Sequence, residues 1–171
     1  MTDFADIVLR LGAATLIGGA IGLNRDLHGK PIGVRTLGLV GLASAIATLA
    51  VAPSTVGGNS VDATSRVIQG VLTGIGFLGA GVIFRRSIGD RVHGLTSAAC
   101  VWATACLGLV CGLAAWPIVA TGALLVFVLL ILGGPFERLS QRWFGAHVMD
   151  AREHEAAATA QASPSRDDRQ S

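Results

Sequence analysis

The run from Val67 to Phe84 constrains this chain more than any other feature, because its eighteen residues carry no charged side chain. Arg85 and Arg86 then end the run abruptly. A hydrocarbon core about 30 Å thick needs roughly 20 apolar residues at helical rise, so this length is close to one membrane span. The run is also rich in glycine, which is costly in a water-exposed helix but lets helices approach closely in lipid. It therefore predicts a membrane helix packed against other helices.

The composition extends this interpretation to most of the chain, since 51% of the residues are hydrophobic and 14% are charged, against about 25% charged in an average soluble domain. Apolar spans occur at residues 4–23, 36–52, 67–84, 94–116 and 117–134. Trp116 and Pro117 separate the last two spans with no charged residue between them, which predicts a tight helical hairpin. The expected fold is all-α, a polytopic bundle of about five transmembrane helices with glycine-mediated packing.

Basic residues fall mainly in the connections after the odd-numbered spans, and basic connections are retained in the cytoplasm. The N-terminus is therefore expected outside and the C-terminus in the cytoplasm. We expect residues 1–135 to form the transmembrane domain and residues 136–150 an amphipathic segment at the lipid headgroups. Residues 151–171, rich in alanine, serine and charge, are expected to be a disordered cytoplasmic tail.

Several classes of function are disfavoured. A net charge of +2 with scattered basic residues argues against a nucleic-acid partner, which leaves the lipid bilayer as the primary environment. The chain has no nucleophile elbow, phosphate loop or His-Glu-x-x-His motif, so we do not expect an enzyme. Cys100, Cys106 and Cys111 lie in one apolar span without a histidine at ligand spacing, which favours buried small hydrophobic residues. We therefore expect neither a metal nor a cofactor.

Glycines spaced four apart lie on one face of a helix, where a second helix can approach closely. Such pairs are Gly18 with Gly22, Gly70 with Gly74 and Gly108 with Gly112, and the third span adds Gly76, Gly79 and Gly81. These faces are predicted to pack within one subunit, to contact a second copy or another membrane protein, or to line a narrow cavity. The sequence leaves these three alternatives open.

Ionisable side chains at membrane depth are costly and are candidates for function. The candidates here are Asp6 with Arg10 and Asp62 with Arg66, each four apart, followed by the polar Gln69 and Thr73. Each pair can be an ordinary ion pair at the membrane interface. Alternatively, the two pairs converge into an outward-facing cluster, in which Asp62 serves a cation or proton site. Both interpretations are compatible with the spacing.

Three runs of residues carry a resemblance to a known family. They are Arg-x(9)-Arg-Thr at residues 25–36, GIGFLGAGVIFRR at residues 74–86 and GLTSAACVW at residues 94–102. Together they closely resemble the MgtC/SapB family of bacterial inner-membrane proteins. The first-loop motif corresponds to Arg25, Gly33, Arg35 and Thr36 of this chain. Asp62 and Arg66 match the acidic and basic positions ahead of the third span.

The resemblance implies a multi-pass inner-membrane protein that supports growth in low magnesium and, in pathogens, survival within macrophages. It implies regulation of membrane energetics through a membrane-protein partner, with the F-type ATP synthase as a candidate. The alternative is a small oligomeric cation transporter or channel. Asn24 and Leu37 depart from the glutamate and histidine common in the family, and the segment after the fifth span is too short for the C-terminal domain of many members.

Overall fold

The computed structural model describes residues 3–51, 60–84 and 94–133, and every regular element within them is an α-helix. These helices are α1 (Phe4–Leu27), α2 (Val34–Ala50), α3 (Ser60–Phe84), α4 (Leu95–Gly112) and α5 (Trp116–Gly133). The predicted all-helical fold is confirmed. The segments predicted at residues 136–150 and 151–171 lie outside the described residues, as does the basic connection that begins at Arg85.

Four of these helices are long and apolar enough to cross a membrane, namely α1, α3, α4 and α5. Helix α2 is shorter, at 17 residues, which corresponds to about 25 Å of helical rise. Large apolar side chains stand exposed on every helix, including Leu16 on α1, Phe77 on α3 and Leu129 on α5. Since lipid is their solvent, this exposure is compatible with stability.

Helices α2 and α4 form the centre of the bundle. Helix α1 packs against both of them, whereas α3 packs mainly against α4 and makes a smaller contact with α2. Within the described residues, α1 and α3 make no contact with each other. A buried apolar cluster joins Ala14, Ala45, Cys111 and Val119, so α5 also reaches this core. In the membrane-spanning window of α4 56% of the residues are buried, compared with 6% in that of α3.

The connection between α4 and α5 is the tight hairpin that the sequence predicts. Helix α4 ends at Gly112, and α5 begins at Trp116 after a turn in which Ala114 has a φ of 56°. Pro117 lies in the first turn of α5, where a missing N–H has no helical partner to lose. Residues up to Phe127 belong to one compact unit; the second unit is described only at residues 128–133, as the end of α5.

Two helices extend beyond the predicted spans. Helix α3 begins at Ser60, so that Asp62 lies in its first turn and Arg66 in its second. An acidic residue in the first turn stabilises a helix through the helix dipole. The hydropathy pattern left residues 60–66 out of the predicted span because they are polar. Helix α1 continues to Leu27, so Arg25 belongs to its last turn and not to the loop in which the sequence pattern placed it. A cation at a helix C-terminus is favoured for the same reason.

Candidate functional site

Glycines bring α1, α2 and α4 into backbone contact. A Cβ atom added to Gly18 would lie 2.5 Å from the carbonyl oxygen of Leu37, and one added to Gly22 would lie 2.5 Å from the Cα of Val34. The same holds on α4, where a Cβ at Gly112 would lie 2.6 Å from the carbonyl oxygen of Ala45. Any side chain at these positions would push two helices apart.

Gly108 and Gly41 meet across the α2–α4 interface, since a Cβ added to Gly108 would overlap the carbonyl oxygen of Gly41. In turn, a Cβ at Gly41 would lie 2.6 Å from the carbonyl oxygen of Ala14. The glycine-pair pattern missed Gly41. The signal that finds it is the run of small residues Gly41, Ala43, Ser44 and Ala45, which is typical of helices in close contact.

The glycines of α3 have a different environment. A Cβ added to Gly70, Gly74, Gly76 or Gly81 would have no described atom within 4 Å outside its own helix and adjacent residues. Gly79 is the exception, since its Cβ would lie at ordinary contact distance, 3.7 Å, from the Cβ of Ala98 on α4. The predicted set therefore divides into glycines of the bundle interior and glycines on an open face of α3.

The two Asp–Arg pairs also differ. Arg10 lies 2.5 Å from the carboxylate of Asp6 and donates a second hydrogen bond, 3.0 Å long, to the carbonyl oxygen of Gly112. The side chains of the pair are only 14% and 31% exposed. This pair therefore ties α1 to the C-terminal end of α4.

Asp62 and Arg66 form a 3.0 Å ion pair whose side chains are 69% and 76% exposed. The neighbouring Gln69 and Thr73 are exposed as well, and the Thr73 hydroxyl donates to the carbonyl oxygen of Gln69 in its own helix. Because the described parts of α1 and α3 do not contact each other, this polar face of α3 is separate from the Asp6–Arg10 pair.

Arg25 links the first motif of the sequence to the third. Its side chain is 5% exposed, and its Nη2 donates a 2.5 Å hydrogen bond to the hydroxyl of Ser97 in the first turn of α4. The described residues place no carboxylate within ion-pair distance of this guanidinium, and its Nε has no partner among them. The sequence placed Ser97 within a recognised motif without assigning it this contact.

The connection between α1 and α2 is built as a fixed turn. The Asp26 carboxylate accepts a 2.9 Å hydrogen bond from the backbone N–H of Val34, the first residue of α2. Gly33 lies beside it, and a Cβ at that position would overlap the carboxylate and displace it from this hydrogen bond. Arg35 and Thr36 follow in the first turn of α2 and are exposed.

A cavity of about 640 Å³ lies where the α1–α2 connection, α2, α3 and α4 meet. Its lining residues are Pro31, Ile32, Thr36, Val40, Phe77, Leu78, Gly81, Val82 and Val101. The cavity thus brings together residues of all the sequence motifs that carry the family resemblance. Its walls are predominantly apolar, as ligand sites are.

A buried hydroxyl joins α2 to α4 near the C-terminal ends of the two helices. Thr48 is fully buried, and its Oγ1 donates to the carbonyl oxygen of Leu109 at 3.1 Å, as well as lying close to carbonyl oxygens of its own helix. Within residues 3–51, 60–84 and 94–133, no group of three or more His, Cys, Asp or Glu side chains is placed to share a metal ion.

Comparisons with known proteins show what this chain is similar to. The sequence profile described as "MgtC family" matches residues 11–139. The chain is 42% identical to Protein SrpB of Synechococcus elongatus over 81% of this chain and 79% of SrpB. It is 38% identical to Protein SapB of Bacillus subtilis, over 63% of this chain and 47% of SapB.

A third relative is the Putative magnesium transporter YhiD of Escherichia coli, 35% identical over 74% of this chain and 60% of YhiD. The chain therefore spans about half of SapB and three fifths of YhiD. No solved structure matches the chain.

Proposed function

The chain belongs to the MgtC family of multi-pass bacterial membrane proteins, and on this premise we propose that it supports adaptation to low magnesium by regulating another membrane protein. In a pathogen, the same role would support survival within macrophages. The proposed partner is a protein of membrane energetics, with the F-type ATP synthase as the first candidate. The observation that carries the proposal is the open glycine face of α3.

The spacing and exposure of these glycines favour a protein partner. Gly70 and Gly74 lie four apart on one side of a helix that is 6% buried over its membrane window. Small residues let a second helix approach closely, and in lipid such close packing is a principal source of helix association. The glycines of α1 already show this mode of contact in this chain, since Gly18 and Gly22 lie against the backbone of α2.

Site-specific crosslinking in native membranes tests the proposal. A photoreactive amino acid replaces Gly74 in one variant and Leu124, an exposed residue of α5, in the control variant. We expect a discrete adduct with a second protein from position 74 that is absent from position 124. Equal adducts from the two positions, or none from position 74, would contradict a partner face on α3. An adduct between two copies of this chain would assign the face to a homo-oligomer.

The second candidate function is cation transport, which the name of the relative YhiD favours. In this alternative an oligomer forms the path, and Asp62, Arg66 and Gln69 on the exposed polar face of α3 line it. Purified protein reconstituted in liposomes separates the two functions. Specific uptake of Mg²⁺ would support transport, whereas no uptake together with recovery of a stoichiometric partner would support regulation.

Asp62→Asn distinguishes the alternatives in cells. The exposed Asp62–Arg66 pair contributes little to folding, so the variant should reach wild-type membrane levels. A regulator acting through Gly70 and Gly74 should still restore growth of a deletion strain in low magnesium. Loss of growth at an unchanged protein level would instead favour the transport function.

A further inference from the structure

The cavity beside α3, referred to below as the groove, lies where α2, α3, α4 and the α1–α2 connection meet. Its walls are formed by side chains of three membrane helices, namely Val40 on α2, Phe77 and Val82 on α3, and Val101 on α4. Gly81 also lines it. Apart from its chain neighbours and the nearby backbone of α3, a Cβ at Gly81 would meet no described atom within 4 Å. Its volume of about 640 Å³ is within the size range of ligand sites.

Two cations are sequence neighbours of residues that line the groove near the α1–α2 connection. Lys30 directly precedes the lining residue Pro31, and Arg35 directly precedes the lining residue Thr36. Both cations are exposed, and no described carboxylate pairs with either of them. Basic residues at a membrane surface attract anionic headgroups, with an effect of about fivefold in affinity for each cation.

Two further charged side chains lie in the last turn of α1, just before this connection. Arg25 is buried and donates to Ser97, and the Asp26 carboxylate accepts the backbone N–H of Val34. The Asp26 carboxylate keeps its negative charge, but the cations Arg25, Lys30 and Arg35 outnumber it, so the described charge beside the groove is net positive. An apolar groove with a cationic end matches a molecule that has an apolar chain and an anionic head.

We propose that this groove binds an anionic phospholipid of the bilayer. One acyl chain lies along Val40, Phe77 and Val101, and the phosphate lies at Lys30 and Arg35. Thr36, which also lines the cavity, directly follows Arg35 in the sequence. The lipid test and the partner test can fail separately, since lipid retention is measured on the purified chain alone.

Native mass spectrometry of the full chain in detergent, with phosphatidylglycerol and phosphatidylcholine added at equal concentration, tests the headgroup contact. The wild type should retain phosphatidylglycerol in preference. A double variant, Lys30→Gln with Arg35→Gln, should lose on the order of 25-fold of that preference. An unchanged preference in the double variant would overturn the assignment of these cations.

The groove itself is tested with Gly81→Leu, which places a side chain among the lining residues. The matched control is Gly76→Leu, a substitution on the same helix at a glycine that is equally open in the described structure but does not line the cavity. Gly81→Leu should reduce retention of both lipids, and Gly76→Leu should retain them as the wild type does. Equal retention by the two variants would refute the groove.

A measurement on the wild type makes the proposal independent of variant folding. A phosphatidylglycerol with a photoreactive acyl chain should label peptides containing Val40, Phe77 or Val101 in excess over those of α5. Even labelling of all lipid-exposed helices, competition by soluble glycerol phosphate at equal concentration, or a crosslink between two copies at Phe77 would each overturn the proposal. These outcomes assign the cavity to bulk lipid, a free anion or a second chain.

Discussion

Helices α1 and α3 contain the same two sequence features, an Asp–Arg pair and a glycine pair, but these residues make different contacts in the two helices. Each has an Asp–Arg pair four apart followed by a glycine pair four apart: Asp6, Arg10, Gly18 and Gly22 on α1, and Asp62, Arg66, Gly70 and Gly74 on α3. On α1 both features make contacts between helices, because the glycines lie against the backbone of α2 and Arg10 binds the end of α4. On α3 the ion pair is exposed, and the two glycines have no described residue of another helix within contact distance. Such a sequence pattern in a membrane helix thus predicts that another helix can pack there. Whether one does depends on the position of the helix in the bundle.

The difference follows from the position of each helix in the bundle. Helix α1 packs against both central helices, α2 and α4, so that two of its faces are covered. Helix α3 packs mainly against α4, through a face that includes Ile75 and Gly79. Its opposite side therefore remains available to lipid or to another protein.

The largest expected difference is between Gly22→Ala and Gly74→Ala. The new methyl group at position 22 would lie 2.5 Å from the Cα of Val34. Overpacking of this kind costs about 3 kcal/mol, offset by up to about 1 kcal/mol from the better helix propensity of alanine. Gly74→Ala meets no described atom and should leave stability unchanged or slightly raised. Thermal unfolding in detergent, followed by the fraction that remains monodisperse on gel filtration, measures both variants.

If the two alanine variants unfold at the same temperature, then Gly22 and Gly74 do not differ in their packing in the detergent-solubilised protein. If Gly74→Ala alone is destabilised, α3 packs against a part of the chain outside the described residues. Either result would revise the partner face.

The two ion pairs give the next largest difference. Arg10→Ala removes a charged donor from the carbonyl oxygen of Gly112, and a hydrogen bond to a charged group is worth about 1.5 kcal/mol or more. Arg66→Ala removes only an exposed pair and should cost less than about 0.5 kcal/mol. Urea titration of the purified variants measures both free energies of unfolding. A larger loss from Arg66→Ala would indicate that Asp62 and Arg66 have partners in an oligomer.

The smallest expected difference concerns two threonines. Thr48→Val deletes the hydrogen bond to the carbonyl oxygen of Leu109 across the α2–α4 interface, and such bonds in membrane proteins are worth about 0.6 kcal/mol. Thr73→Val deletes only a bond to its own helix and should have almost no effect on stability. The same urea titration checks both. Equal losses from the two variants would show that the bond between helices adds nothing beyond a local contact.

Much of the architecture was predictable from local pattern. The hydropathy pattern predicted the helices and the hairpin near Trp116 because apolar length and the position of proline are properties of short segments. The boundaries at Arg25 and Asp62 were wrong because charged residues at helix ends are compatible with helix yet interrupt an apolar run. The contact of Arg25 with Ser97, 72 residues apart in sequence, was beyond any local pattern.

The amino-acid sequence by itself determined that lipid is the solvent of this chain, that its backbone is helical there, and that it belongs to the MgtC family. Only the tertiary structure decided that Gly22 faces a backbone while Gly74 has no neighbour within contact distance among the described residues, and that the motifs meet around one cavity. The physical reason is that lipid tails are as apolar as a helix surface, so hydrophobicity does not distinguish a face that meets lipid from one that meets protein. That choice depends on the fit between helices, which is settled only when they pack.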